Sequence, residues 1–159
     1  MNLFLFHPND HVKNAKAHPD RLCVKMILES AQIINNTIAP LGFYLTKLDG
    51  SQYRHTHRQH PISIWLRESR ANLIYGIKYF ESLILEYETR YNKLSSSRRN
   101  LNYLREHFAD IDTYAINYFP KDFAVVINDF WLSLFVRDGI ISQEQLDSLN
   151  QNRKRANAI

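Results

Sequence analysis

Between residues 19 and 38 apolar side chains fill most of a helical circumference: Leu22, Cys23, Val24, Met26, Ile27, Leu28, Ile33 and Ile34. The run is too long for a strand and predicts a largely buried helix. Pro19 suits its first turn, Asp20 complements the helix dipole, and Pro40 with Gly42 ends it. A second long helix is predicted from about Pro61 to residue 92, where Ile62, Trp65, Leu66, Leu73, Ile77, Phe80, Ile84 and Tyr87 keep the helical period. Gly76 inside it marks a bend or a close packing contact. The two long helices are expected to pack on each other.

The rest of the chain reads as shorter pieces. "NLFLF" is apolar and short, followed by the turn signal "HPND", and reads as an extended segment or strand. Residues 41–59 form a polar connection. "KLSSSRRN" breaks the pattern before a helix over about 97–108. Pro120 opens a further helix closed by Gly139, and Ser142 with Gln145 reads as a capping box that opens another. From about residue 151 a basic tail, "NRKRANAI", is expected to fray. No internal repeat or linker stands out. These elements predict a mainly α fold: one compact helical domain over 1–159 with a short extended N-terminal segment.

Composition supports this picture. The chain has 159 residues, 45% of them apolar and 23% charged, which is globular and too short for two ordinary domains. Four glycines argue against a turn-rich β fold, and a single cysteine, Cys23, excludes a disulfide framework and a cysteine-rich zinc site. No apolar stretch approaches the roughly 18 residues of a membrane helix. "MNLFLFHPND" lacks the charged start and apolar centre of a signal peptide, so an intracellular, cytoplasmic protein without a membrane partner is expected. The formal charge of +4 fits contact with a polyanion without demanding it.

Two polar features bear on chemistry. On the first long helix Arg21, Lys25, Glu29, Gln32 and Asn36 recur at intervals of four, four, three and four, so they line one face. That face is either the solvent side, with Lys25 and Glu29 as a surface pair, or the wall of a cleft where a carboxylate beside an amine does acid–base work. The second feature is "RHTHRQHPISIWLRES", residues 54–69, which gathers His55, His57 and His60 with Arg54, Arg58, Arg67 and Trp65. Arg70 lies just beyond. His57 and His60 have a chelating i,i+3 spacing, but zinc needs a third protein ligand; no metal and no other cofactor is expected. Recognition of a phosphate or a base by the His and Arg donors is the functional alternative to an exposed basic loop anchored by Trp65. The stripe and the segment are expected to face each other, because unlike charges on two otherwise apolar helices gain by pairing.

The motifs "HPDRLCVKMILESAQII", "THRQHPISIWLRESRANLI" and "LEYETRY" resemble a family of small phage proteins. Its recurring patterns are D-K-H-V-V-K-M-I-L-E-[ST]-A-Q, T-H-x-x-H-P-x-x-x-W-x-R-x-S and E-Y-x-x-R-Y. The resemblance covers about residues 1–93. A more distant similarity is to the phage pyrimidine-dimer DNA glycosylase of the endonuclease V class, a compact helical enzyme whose Asp-x-His-Leu stretch precedes a catalytic Glu on the same helix. The Asp20-to-Glu29 spacing is similar to that arrangement, and the resemblance implies a catalytic role for Glu29. The chain departs from it at Leu22, which stands for the His, and at Leu28 and Gln32, which stand for basic residues flanking the Glu. Asn2 also follows Met1 where the glycosylase exposes the amine of a small residue.

Together these readings lead to a DNA- or nucleotide-directed protein of phage type, acting in the host cytoplasm. As a glycosylase-like enzyme it would use Glu29, Lys25, His57 and His60 in catalysis, with Gln32, Arg67, Arg70, Trp65 and Asp20 binding substrate. Trp65 and Tyr53 would stack a flipped base, and Met1 or Lys25 would supply an amine for any Schiff base. The alternative is a non-catalytic phage binding protein, such as an inhibitor of a host factor.

Overall fold

The computed structural model describes residues 3–7, 9–54, 56–112, 142–144 and 147. By their internal contacts, residues 1–121 form one compact unit and residues 122–159 a second. Of the second unit, Gln143 and Glu144 are helical, and the Gln143 side-chain amide donates to the Asp147 carboxylate one turn on, at 3.1 Å. Helical backbone after Ser142 agrees with the sequence reading there. The helix expected from Pro120 to Gly139, the Gln145 half of the capping box and the basic tail lie outside the described residues.

The first unit is helical: α1 (His11–Ala17), α2 (Asp20–Ile38), α3 (Pro61–Glu68), α4 (Arg70–Tyr91), α5 (Arg98–Glu106) and α6 (Phe108–Asp112), with a 3-10 turn at Ala39–Leu41 after α2. Among the described residues there is no strand. The nearest approach to one is a single antiparallel bridge between Thr46 and Gln52, closing the "LDGS" turn. No helix among the described residues is long and apolar enough to cross a membrane.

α2 has nearly its predicted bounds, and Gly42 ends the segment in the left-handed region at φ 89°. It packs along α4. Its core face is Cys23, Met26, Ile27, Ala31, Ile33, Ile34 and Ile38, set against Tyr79, Phe80, Leu83 and Ile84 among the other buried residues. Val24 and Leu28, counted above with the buried apolar residues, are exposed, so the first half of α2 is covered on one side only, while Ile33, Ile34, Asn35, Asn36, Thr37 and Ile38 are all buried.

The predicted 61–92 helix is two helices. Ser69 is fully extended (φ −154°, ψ 154°), and its Oγ accepts from the backbone N–H of Asn72 at 3.1 Å, capping α4. The Asn72 side-chain amide donates to the Trp65 carbonyl at 2.7 Å, tying the end of α3 to the start of α4. A Ser three residues ahead of an Asn, in "RESRAN", is an N-cap signal that continuous apolar periodicity overrode. The break lets α3 fold back on α4. Gly76 is the point of closest approach: a Cβ there would lie 2.8 Å from Cδ2 of Leu66. The glycine serves close packing and not a bend.

α1 was not expected from the sequence. Asp10 caps it, accepting from the Lys13 N–H at 2.9 Å. Asn14 on its buried face holds the extended N-terminal segment: its Oδ1 accepts from the N–H groups of Phe6 (2.7 Å) and His7 (3.0 Å), and its amide donates to the Phe4 carbonyl at 3.1 Å. Leu3 and Phe6 are thereby held in the core. The α1–α2 junction is closed by Arg90 of α4, which donates to the carbonyls of Ala15, Lys16 and His18 and pairs with Asp20 (2.9 Å) and Glu86 (2.7 Å). One guanidinium thus serves the open C-terminal carbonyls of α1 and the acidic start of α2.

His18 lies buried at that junction, edge-on to Phe6. Its Nδ1–H donates to the Asn14 carbonyl at 2.7 Å, which leaves Nε2 to accept from the Tyr79 hydroxyl at 3.0 Å. Burial pushes its pKa below the ordinary value of 6.5. The unfolded chain therefore binds a proton that the folded chain resists, so this contribution to stability is complete above about pH 6.5 and is lost as pH falls below it. We expect the unfolding free energy, measured by urea titration, to decline between pH 6.5 and 5 by up to about 1.4 kcal/mol per pH unit for each such histidine. His11 and His60, also held down by burial, add in the same direction. The slope should be visibly smaller in His18→Gln; an identical slope would mean that His18 is not the group responsible.

Candidate functional site

The polar stripe of α2 sinks into the protein from one end to the other. Arg21 and Lys25 are exposed, Glu29 and Gln32 are half-buried, and Asn36 is fully buried. Lys25 and Glu29 form an i,i+4 pair at 3.4 Å, with 66% of the Lys25 side chain and 16% of the Glu29 side chain exposed. The stripe is therefore solvent-facing at its start and an interior wall at its end.

What covers the buried end is the histidine-rich connection. Asn35 donates to the Tyr53 carbonyl (3.4 Å) and accepts from the Leu45 N–H (2.8 Å). Asn36 donates to the Thr56 carbonyl at 2.6 Å. From the other side, Arg67 of α3 donates to the Arg58 carbonyl at 2.6 Å. Tyr53 and Thr56 are thus held by α2, and Arg58 by α3. The chain then makes a turn in which the His60 N–H donates to the His57 carbonyl at 2.9 Å, with His57 in the left-handed region at φ 60°. That conformation is uncommon for a residue with a Cβ and marks a locally strained backbone.

His60 caps α3 with its own ring: Nδ1 accepts from the Ile62 N–H at 3.3 Å. In the neutral ring the proton is consequently on Nε2. Burial pushes the His60 pKa down, the neighbouring His57 adds to this, and the Glu29 carboxylate opposes it. The charge of Glu29 is therefore felt at the His60 ring, two turns along α2 from the Asn36 contact with the loop. Arg67 is also pushed down, by burial and then by the charge of Arg58.

Lys25, Glu29 and Gln32 share one face of α2 with Asn36, whereas His57 and His60 lie on the connection and Arg67 on α3; of these, Lys25 and Glu29 are paired, and the Glu29 charge acts on the His60 ring. Four other sequence candidates lie elsewhere or do other work. Asp20 sits at the opposite end of α2 in the Arg90 pair. Trp65, only 5% exposed, packs edge-on to Tyr75 at 5.8 Å, and Tyr53 is equally buried, so neither ring is presented to a base. Arg70, half-buried, opens α4 immediately after the break at Ser69. The sequence reading gave Arg58 no role of its own and missed Ser63 and the clamping role of Asn35 and Asn36. The adjacent "NN" on a predicted helix was a usable signal, since two buried amides at a helix end require backbone partners from a passing segment. Among the described residues no three His, Cys, Asp or Glu side chains gather as metal ligands would. No protein-family model, no curated protein and no solved structure matches this chain.

Proposed function

We propose that the chain is a DNA-directed, glycosylase-like hydrolase of phage type with Glu29 as its catalytic carboxylate. The observation that carries this reading is the half-buried Glu29, paired with Lys25 at 3.4 Å and felt by the His60 ring beside a loop dense in cations. Hydrolysis of an N-glycosidic bond builds positive charge on the sugar, and a fixed carboxylate in a partly water-excluded wall stabilises it. Glu29 would also take the proton of the attacking water as its oxygen bonds to C1′. The base leaves with the bonding electron pair and is protonated from solvent. The Nε2–H of neutral His60 would donate to the departing base, while Lys25, Gln32 and His57 position the substrate and Arg67 and Arg70 meet the flanking phosphates. The similarity of the Asp20-to-Glu29 spacing to the pyrimidine-dimer glycosylase supports the same assignment.

The test is an alkali-nicking assay on ultraviolet-irradiated plasmid, with uracil- and alkylated-base oligonucleotides as further substrates. Glu29→Gln is expected to lower the single-turnover rate by about 100-fold or more while duplex affinity stays within about twofold. Equal rates for wild type and Glu29→Gln would sink the assignment.

The burial of Trp65 and Tyr53 favours a second reading. With both rings in the core, neither is presented to stack an extruded base, and a protein that binds without turnover, such as an inhibitor of a host factor, fits that arrangement. Wild-type protein that binds duplex DNA but leaves every substrate intact would point to it.

A further inference from the structure

Most arginines of α4 and α5 have visible partners. Arg90 pairs with Asp20 and Glu86, Arg98 with Glu88 and Arg105 with Glu81, and Arg99 donates to the carbonyls of Thr46 and Leu48. Arg67 differs. Its Nη2 is engaged by the Arg58 carbonyl, but its Nη1 is buried and meets no acceptor. Among the described residues no carboxylate pairs with it, and the charge acting on it is that of Arg58. One turn earlier on the same face of α3, Ser63 is fully buried and its Oγ is also unpartnered. A guanidinium N–H taken out of water without an acceptor, beside a second cation, is unfavourable unless something supplies negative charge.

We propose that Arg67 and Arg58, with the His57–His60 turn at the start of α3, form a seat for one phosphate oxyanion. An oxyanion gives the Nη1–H of Arg67 its missing acceptor and separates two guanidinium groups that otherwise repel. Arg58 lies on the exposed turn and can close over the anion. The left-handed His57 sets the turn that carries Arg58 next to Arg67. The phosphate comes either from a DNA backbone or from a free nucleotide. The proposal deepens the DNA-directed reading by naming the contact, and it does not depend on any reaction at Glu29.

Arginine side-chain NMR signals of the full chain, titrated at constant ionic strength with inorganic phosphate and separately with thymidine 5′-monophosphate, test the seat. Wild-type protein should show saturable shifts at Arg67. The dissociation constant should rise about tenfold in Arg58→Gln, whose side chain is exposed and whose loss leaves the core intact. Arg67→Gln should abolish the saturable shifts of the Arg58 signal that the wild type also shows, and Glu29→Gln should retain them, which separates this seat from the catalytic assignment. With a short duplex, a salt slope lower by about 0.9 in Arg58→Gln assigns the phosphate to the DNA backbone. Saturable monophosphate binding without duplex binding assigns it to a free nucleotide. No saturable response of the wild type to either small phosphate, or an unchanged constant in Arg58→Gln, overturns the proposal.

Discussion

Asn14→Ala is expected to destabilise the first unit by about 3 kcal/mol, from three hydrogen bonds at about 1 kcal/mol each. The side chain is buried and accepts from Phe6 and His7 while donating to Phe4, so it replaces the strand partner that the extended N-terminal segment lacks. Alanine removes those bonds and leaves backbone groups near the core without partners. Leu3 and Phe6 are anchored only as long as that backbone is held, so their apolar burial is at stake as well. Urea unfolding should show the loss in midpoint. Amide exchange at Phe6 and His7 should accelerate far more than exchange in the middle of α4. A midpoint within about 0.5 kcal/mol of wild type would mean that the segment is held by its side chains and not by Asn14.

The helices were legible where the signal was periodic and long. α2 could be read almost to the residue because its apolar face runs uninterrupted for five turns and ends at Pro40 and Gly42. The α3–α4 break was not read, because Leu66 and Leu73 continue the same period across it. The event that separates the helices is a single extended residue stabilised by one hydroxyl. α1 was missed for the opposite reason. Seven residues with one buried asparagine and one buried alanine carry little apolar pattern, and the helix depends on the Asp10 cap and on Arg90, which comes from far along the chain.

The polar face of α2 was legible in its spacing more than in its depth. The four-, three- and four-residue spacing placed Lys25, Glu29, Gln32 and Asn36 on one face, and spacing is all that a face requires. How deep each position lies depends on what covers the helix, which periodicity does not report. Trp65 shows the same limit. An aromatic residue beside histidines and arginines reads equally as a stacking platform or a core anchor, and the α3–α4 packing around Gly76 decides for the core. Arg58 looked like one loop cation among several. It stands out only because Arg67 reaches its carbonyl and retains an unmet N–H.

Asn35→Ala should separate folding of the helices from order in the loop that carries the histidines. Asn35 is fully buried near the C-terminal end of α2 and bridges two points of the connection, accepting from Leu45 and donating to Tyr53. The bond to the Leu45 N–H is the better formed of the two, at 2.8 Å against 3.4 Å, and Leu45 has no exposure to water. Its loss strands a buried amide, so about 2 kcal/mol of destabilisation is expected. Asn36 still holds Thr56 and Arg67 still holds Arg58, so the connection loosens at its first half while the His57–His60 turn stays attached to α3. Amide exchange should therefore rise at Leu45 and Tyr53 with little change at Ile64, whose N–H donates to the His60 carbonyl within α3. If exchange at Ile64 rises as much as at Leu45, the connection and α3 open as one unit. The turn would then owe its position to α2 as much as to Arg67, and Asn35→Ala would weaken phosphate binding as strongly as Arg58→Gln.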